Sequence, residues 1–200
     1  MRLLVFALLV LTAVPADAKP KFPTKYTYYT ISGTTAVDVF QSLSRRKPTL
    51  KGDGAYSTTT TAYSSQPGRP VTTGGQCRIE DFLFDADFVI KLPKLKTESA
   101  LKGAAAGNWR KFSSFLKRHE EQHRSIWLGC GETLQRQVTS LRNRDCGEVE
   151  REARRLRDNM KKSCQKQHAA LDFRDQKALM GHPFIRHALR ASGKKIASSN

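Results

Sequence analysis

Three things are missing from this chain of 200 residues: a C-x-x-C pair, an internal repeat and, past residue 18, any run apolar enough to cross a bilayer. The first absence argues against a tetrathiolate metal site, the second against stacked-repeat architectures, and the third against a stop-transfer or membrane-spanning segment. Acidic side chains are also scarce, 18 against 35 Lys and Arg, for a formal charge of +17. A surface field of that sign draws in anionic partners such as lipopolysaccharide, teichoic or peptidoglycan carboxylates, or acidic proteins. The basic runs, "RRLRDNMKKSCQKQ" among them, lack the interleaved aromatics of a base-stacking surface, so no nucleic-acid partner is expected.

What is present begins with an export signal. "MRLLVFALLVLTAVPADA" sets Arg2 before an apolar run from Leu3 to Val14 and ends on the small-residue pattern Ala16-Asp17-Ala18, the layout of a cleavable signal peptide over 1–18. A mature chain starting at Lys19 is expected in the periplasm or outside the cell, with no lipoprotein cysteine after the cut. Its length suits one domain, 19–180, followed by a basic tail, 181–200. All four cysteines, Cys77, Cys130, Cys146 and Cys164, lie in this mature part, and their even number after export points to two disulfides.

The first half reads as strand. "TKYTYYTISG", "AYSTTTTAYSS" and "FLFDADFVIKL" are rich in β-branched and aromatic residues. In the third, Phe82, Phe84, Ala86, Phe88, Ile90 and Leu92 alternate with Asp81, Asp85, Asp87 and Lys91, so one face packs and the other is wet. "TTAVDVFQSLSRR" between the first two strands spaces Val37, Val39, Phe40 and Leu43 for a short amphipathic helix capped by Thr34 or Thr35.

From Asn108, a plausible N-cap, to Lys177 the pattern is helical. Trp109, Phe112, Leu116, His119, His123, Ile126 and Trp127 recur at three- and four-residue steps, which sets both histidines on the inward face. Asp145 with Glu148 three residues on reads as a capping box for a second helix, with Val149, Ala153, Leu156, Met160, Cys164 and Leu171 as its inner stripe. An antiparallel hairpin turning near Arg142 to Arg144 follows, unless Gly129 and Gly131 end the first helix early. The fold class expected is α+β: a small antiparallel sheet with a short helix, packed on this long hairpin.

"RHEEQH" gives the first helix its chemistry, because His119, Glu120 and His123 spell H-E-x-x-H. Imidazoles at i and i+4 stand about 6 Å apart at Cβ, so both reach one ion about 2 Å from each nitrogen. Glu120 is then placed to move protons rather than to ligate. A third ligand is less plain. Ile126 and Gly129 rule out the metzincin extension with its third histidine. Glu148, Glu150 and Glu152 lie too near the turn, with Glu148 about 20 Å along the axis from the histidines. Hairpin register favours His168, with Asp172 either orienting it or ligating in its place, and Asp175 and His182 as further alternatives.

"YTYYTISGTTAVDVFQSL", "CRIEDFLFDADFVIKLP" and "WRKFSSFLKRHEEQH" together resemble a bacterial family of predicted secreted zinc-dependent proteases, domain of unknown function 922. The resemblance covers about Tyr26 to Lys177 and implies a small α+β protein with His119 and His123 as zinc ligands and Glu120 as catalytic acid/base. It leaves the third ligand open. An exported zinc metallopeptidase acting on peptides or proteins of the cell envelope is the leading expectation. The alternatives are a non-catalytic envelope-binding protein, with structural zinc or no metal, and a zinc amidase acting on peptidoglycan peptides.

Two finer expectations concern geometry. Cys146 and Cys164 lie about 27 Å apart on one helix and cannot bond to each other; of the remaining pairings, Cys130 with Cys146 and Cys77 with Cys164 is favoured because it needs only a slightly earlier turn. "FLFDADFVI" is expected as an exposed edge strand beside the metal helix, to which substrate could add.

Overall fold

The computed structural model describes residues 21–48 and 55–193; the expected signal peptide and the end of the tail lie outside that range. In chain order the elements are β1 (Thr24–Ile31), α1 (Ala36–Arg46), β2 (Thr58–Gln66), β3 (Arg69–Thr73), β4 (Gln76–Glu80), β5 (Leu83–Leu95), a 3-10 turn (Glu98–Ala100), α2 (Gly103–Ser140), α3 (Cys146–Met180) and α4 (Pro183–Ala191). The class is α+β, with the long pair α2 and α3 packed together. Among the described residues no helix is long and apolar enough to cross a membrane.

Alternation decides the sheet. β1, β5 and β2 pair in that spatial order; β2 runs antiparallel to β5, while β1 runs parallel to it. Phe84, Ala86, Phe88, Ile90 and Leu92 are all buried on one face of β5, as their period-two spacing predicts. The strand expected to lie at an edge is therefore the middle one: so apolar a strand gains most when paired on both sides. Among the described residues the free edges of this sheet are β1 and β2, and both meet α2.

β3 and β4 form a separate two-stranded hairpin. Its turn is Gly74 and Gly75, both at positive φ (59° and 73°), a tight reversal that residues without a Cβ adopt without strain. The Gly-Gly pair between "RPVTT" and "QCRIE" is a signal the strand assignment above did not use.

α1 starts where expected. The Thr35 side chain accepts from the Asp38 N–H, and the Asp38 carboxylate accepts from the Thr35 N–H in return. α2 instead begins five residues before the expected cap, so Asn108 lies inside the helix. It also runs unbroken through Gly129 and Gly131. Asp145 caps α3 by accepting from the Gly147 N–H at 2.8 Å. The residues after 181 do not all form a tail, because α4 drives Phe184, Ile185 and Ala188 into the core against Trp109 and Phe112.

Two apolar clusters result. One joins β1, α1 and α4 to the first turns of α2; the other joins β4 and the start of β5 to the far end of α2 and to α3. The disulfides belong to the second region and differ from the favoured pairing: Cys77 bonds Cys146 and Cys130 bonds Cys164, with Cα separations of 5.2 and 6.3 Å. The continuity of α2 is the reason. Cys130 stays about 15 Å from the end of its helix, out of reach of Cys146 and level with Cys164. β4 meanwhile docks on the interhelical connection, where Cys77 and Asn143 exchange backbone hydrogen bonds of 2.6 and 3.1 Å. Each bond is worth about 2–4 kcal/mol through restriction of the unfolded chain, and two of them suit an oxidising extracellular or periplasmic location.

The glycines of α2 give a paired test. A Cβ at Gly131 would collide with the Phe84 ring, whereas one at Gly129 meets nothing within 4 Å. Gly131→Ala is expected to destabilise by about 1–3 kcal/mol through overpacking, and Gly129→Ala to stabilise by about 0.5–1 kcal/mol. Urea unfolding midpoints check both signs.

Candidate metal centre

Trp109, Phe112 and Leu116 are buried and fix the rotation of α2 about its axis. One turn past Leu116 this apolar line reaches Glu120, only 3% exposed, so the glutamate and not the histidines occupies the deepest position of the motif. His119 and His123 flank it, with side chains 17% and 15% exposed.

A buried carboxylate needs donors. β2 and the residue before it supply them: the Ser57 hydroxyl donates to Glu120 Oε1 at 2.6 Å, and the Thr59 hydroxyl lies 2.7 Å from Oε2. Burial pushes the Glu120 pKa up from the ordinary carboxylate range, opposed by these two hydrogen bonds and by His119.

The two imidazoles turn their Nε2 atoms toward each other, 3.1 Å apart. Asp172 Oδ1 completes a triangle, 3.2 Å from His119 Nε2 and 3.0 Å from His123 Nε2. The far nitrogen of each ring is engaged: His119 Nδ1 lies 2.9 Å from Asp175 Oδ2, and His123 Nδ1 lies 2.8 Å from His168 Nδ1. Arg174 Nε donates to the other Asp175 oxygen at 2.8 Å and holds the Asp175 pKa low. With both Nδ1 protons donated outward, two lone pairs and a carboxylate oxygen face one point. Only a proton or a cation makes that arrangement favourable. Burial pushes the His123 pKa down to about 4, which disfavours the proton. A tetrahedral ion with bonds of about 2 Å sets its ligand atoms roughly 3.3 Å apart, close to all three separations, so this donor set fits a metal ion.

The residues singled out in the sequence divide accordingly. His119, His123 and Asp172 converge; Glu120 adjoins them; Asp175 and His168 back the two imidazoles. His168 does not present an atom to the triangle, and its Nε2 is buried without a hydrogen-bond partner among the described residues. His182 is occupied elsewhere, since its Nδ1 accepts from the Phe184 N–H at the start of α4. Glu148, Glu150 and Glu152 sit in the first turns of α3, where each pairs with a nearby arginine. Ser57 and Thr59, which hold the Glu120 carboxylate, are the residues of the cleft that sequence reasoning missed. A hydroxyl-rich strand carries no mark of which hydroxyl will meet a buried acid.

These groups line a cleft of about 340 Å³ walled by Ser57, Thr59 and Thr61 on one side and His168 and Asp172 on the other. Removing both hydroxyl donors, in Ser57→Ala with Thr59→Val, is expected to cost roughly 1.5–3 kcal/mol for each hydrogen bond to the carboxylate. Urea unfolding reads this directly, and an unchanged midpoint would contradict the assigned burial of a charged Glu120.

No curated protein and no solved structure matches the chain. A family model does, that of the bacterial protein of unknown function DUF922, and the match spans residues 26–180. It reaches from within β1 to the end of α3 and takes in all the residues that meet at the cleft. This chain therefore belongs to the DUF922 family.

Proposed function

We propose that the protein is an exported zinc metallopeptidase. The observation that supports this best is the convergence of His119 Nε2, His123 Nε2 and Asp172 Oδ1 beside the buried carboxylate of Glu120. On this reading Asp172, rather than the His168 favoured from hairpin register, is the third ligand. His168 positions the His123 ring, and Asp175 positions that of His119. When bound, zinc supplies Lewis acidity, polarising a substrate carbonyl and lowering the pKa of a water.

The chain's own groups do the rest. Glu120 takes a proton from the attacking water on its carboxylate and passes it to the leaving amine. Its raised pKa suits a group that must both accept and release. The Ser57 and Thr59 hydroxyls keep that carboxylate against the cleft, where a one-ångström displacement would be costly. Substrate adds as an extended strand along the free edge of β2, which replaces "FLFDADFVI" in that role. β2 carries no charge and no proline, two devices that usually block such pairing.

Titration of metal-free protein with zinc, alongside hydrolysis of a peptide library, tests the reading. His119→Ala and His123→Ala are expected to abolish tight binding. Asp172→Ala should weaken it more than His168→Ala or Asp175→Asn, each of which should cost about 10–100-fold as a supporting residue. Glu120→Gln should keep the metal and lose roughly 10²–10⁴ in turnover. Tight zinc with no hydrolysis of any peptide or muropeptide would favour the envelope-binding alternative, and wild-type affinity in all variants would place the site elsewhere.

A further inference from the structure

β2 presents the same face to the helices along its whole length. Thr59, Thr61, Tyr63 and Ser65 pair opposite Ile90, Phe88, Ala86 and Phe84 of β5, so their side chains share the buried side of the sheet. Thr59 and Thr61 line the metal cleft; Tyr63 and Ser65 line a second cavity of about 330 Å³. The opposite wall of both is α3, with His168 and Asp172 at the first and Arg154, Arg157, Asp158 and Lys161 at the second.

The two walls keep step. From Thr59 to Tyr63 and Ser65 the strand advances about 13–20 Å. From Asp172 back to Lys161 the helix covers about 16 Å. The cavities are thus consecutive stations of one groove. Trp127 forms the sill between them, 4.8 Å from the Tyr63 ring and 5.4 Å from the His168 ring.

The second station is positively charged. Lys161 stands over the Tyr63 ring at 6.0 Å, and Arg154 is shared only loosely with Glu150 at 3.8 Å. Among the described residues neither Arg157 nor Lys161 forms an ion pair. Asp158 offsets one of the three cations, and a net positive charge remains above the aromatic floor of Tyr63 and Phe84.

We propose that this station is a subsite for an acidic side chain of an extended peptide, about four to six residues from the bond held at the metal cleft. The spacing follows from the strand rise of about 3.3 Å per residue, and the chemistry from guanidinium and ammonium groups lacking carboxylate partners. The inference rests on the peptidase reading for the identity of the first station only. An acidic peptide would bind the second whether or not the first cleaves it.

The test is therefore a binding measurement first. Fluorescence anisotropy with metal-free Glu120→Gln protein compares a labelled ten-residue peptide carrying two adjacent glutamates with its glutamine counterpart. The glutamate peptide is expected to bind at least tenfold more tightly. Arg157→Gln with Lys161→Gln should erase that difference. Arg186→Gln with Arg190→Gln, which removes the same charge from exposed positions on α4, should leave it. Equal affinity for the two peptides, or equal loss in both double variants, would overturn the subsite in favour of the general surface field. Cleavage of the same peptides by zinc-loaded wild type separates the two readings. Discrimination in binding by a zinc-loaded protein that cleaves no member of the peptide library sinks the peptidase and keeps the subsite, whereas cleavage indifferent to the glutamates sinks the subsite.

Discussion

A carboxylate on the most buried line of the longest helix sets the terms for everything around it. Glu120 continues the apolar series Trp109, Phe112 and Leu116, and a charge there is tolerable only with donors in contact. Ser57 and Thr59 meet that need, and in doing so they fix where β2 crosses α2. The point lies between the two apolar clusters, one ending at Leu116 and the other resuming at Leu134. The packing that stabilises the fold thus surrounds a polar junction. His119 and His123 flank the junction because they are the neighbours of Glu120 on the helix surface.

The second helix supplies what the motif lacks. α3 brings Asp172 to both imidazoles, while Asp175 and His168 hold the opposite side of each ring. Register between the helices decides which residues arrive, and one covalent bond joins the two helices directly while a second holds the start of α3. Cys130 with Cys164 clamps the hairpin near the level of the metal cleft; Cys77 with Cys146 ties the β3–β4 hairpin to the start of α3. An axial slip of one helical turn, about 5.4 Å, would replace Asp172 by His168 or Gln176 at the triangle.

Much of this is legible in the sequence. Period-two burial in β5, the capped start of α1, the helical hairpin and the H-E-x-x-H all follow from local spacing, and local spacing is what sequence reports best. The failures are of another kind. The edge or central position of β5 depends on which strands reach it, and the disulfide pairing depends on whether α2 continues through Gly129 and Gly131. Phe84 fills the space beside Gly131, so that glycine marks close packing of sheet on helix and not a break. Sequence leaves four residues open for a third donor, because an estimate of the turn good to one helical step cannot separate positions 168 and 172. α4 falls in the stretch 181–200 expected as a basic tail, where Pro183 is well placed in the first turn of a new helix.

The central claim is that His119, His123 and Asp172 are the atoms that receive the metal, with Glu120 alongside and not bonded to it. Diffraction from crystals grown with zinc, recorded on both sides of the zinc absorption edge, tests it most directly. The account predicts a single strong anomalous peak bonded to His119 Nε2, His123 Nε2 and an Asp172 oxygen, with the Glu120 carboxylate still held by Ser57 and Thr59. A peak that takes His168 in place of Asp172, lies against Glu120, or falls outside this cleft would contradict it.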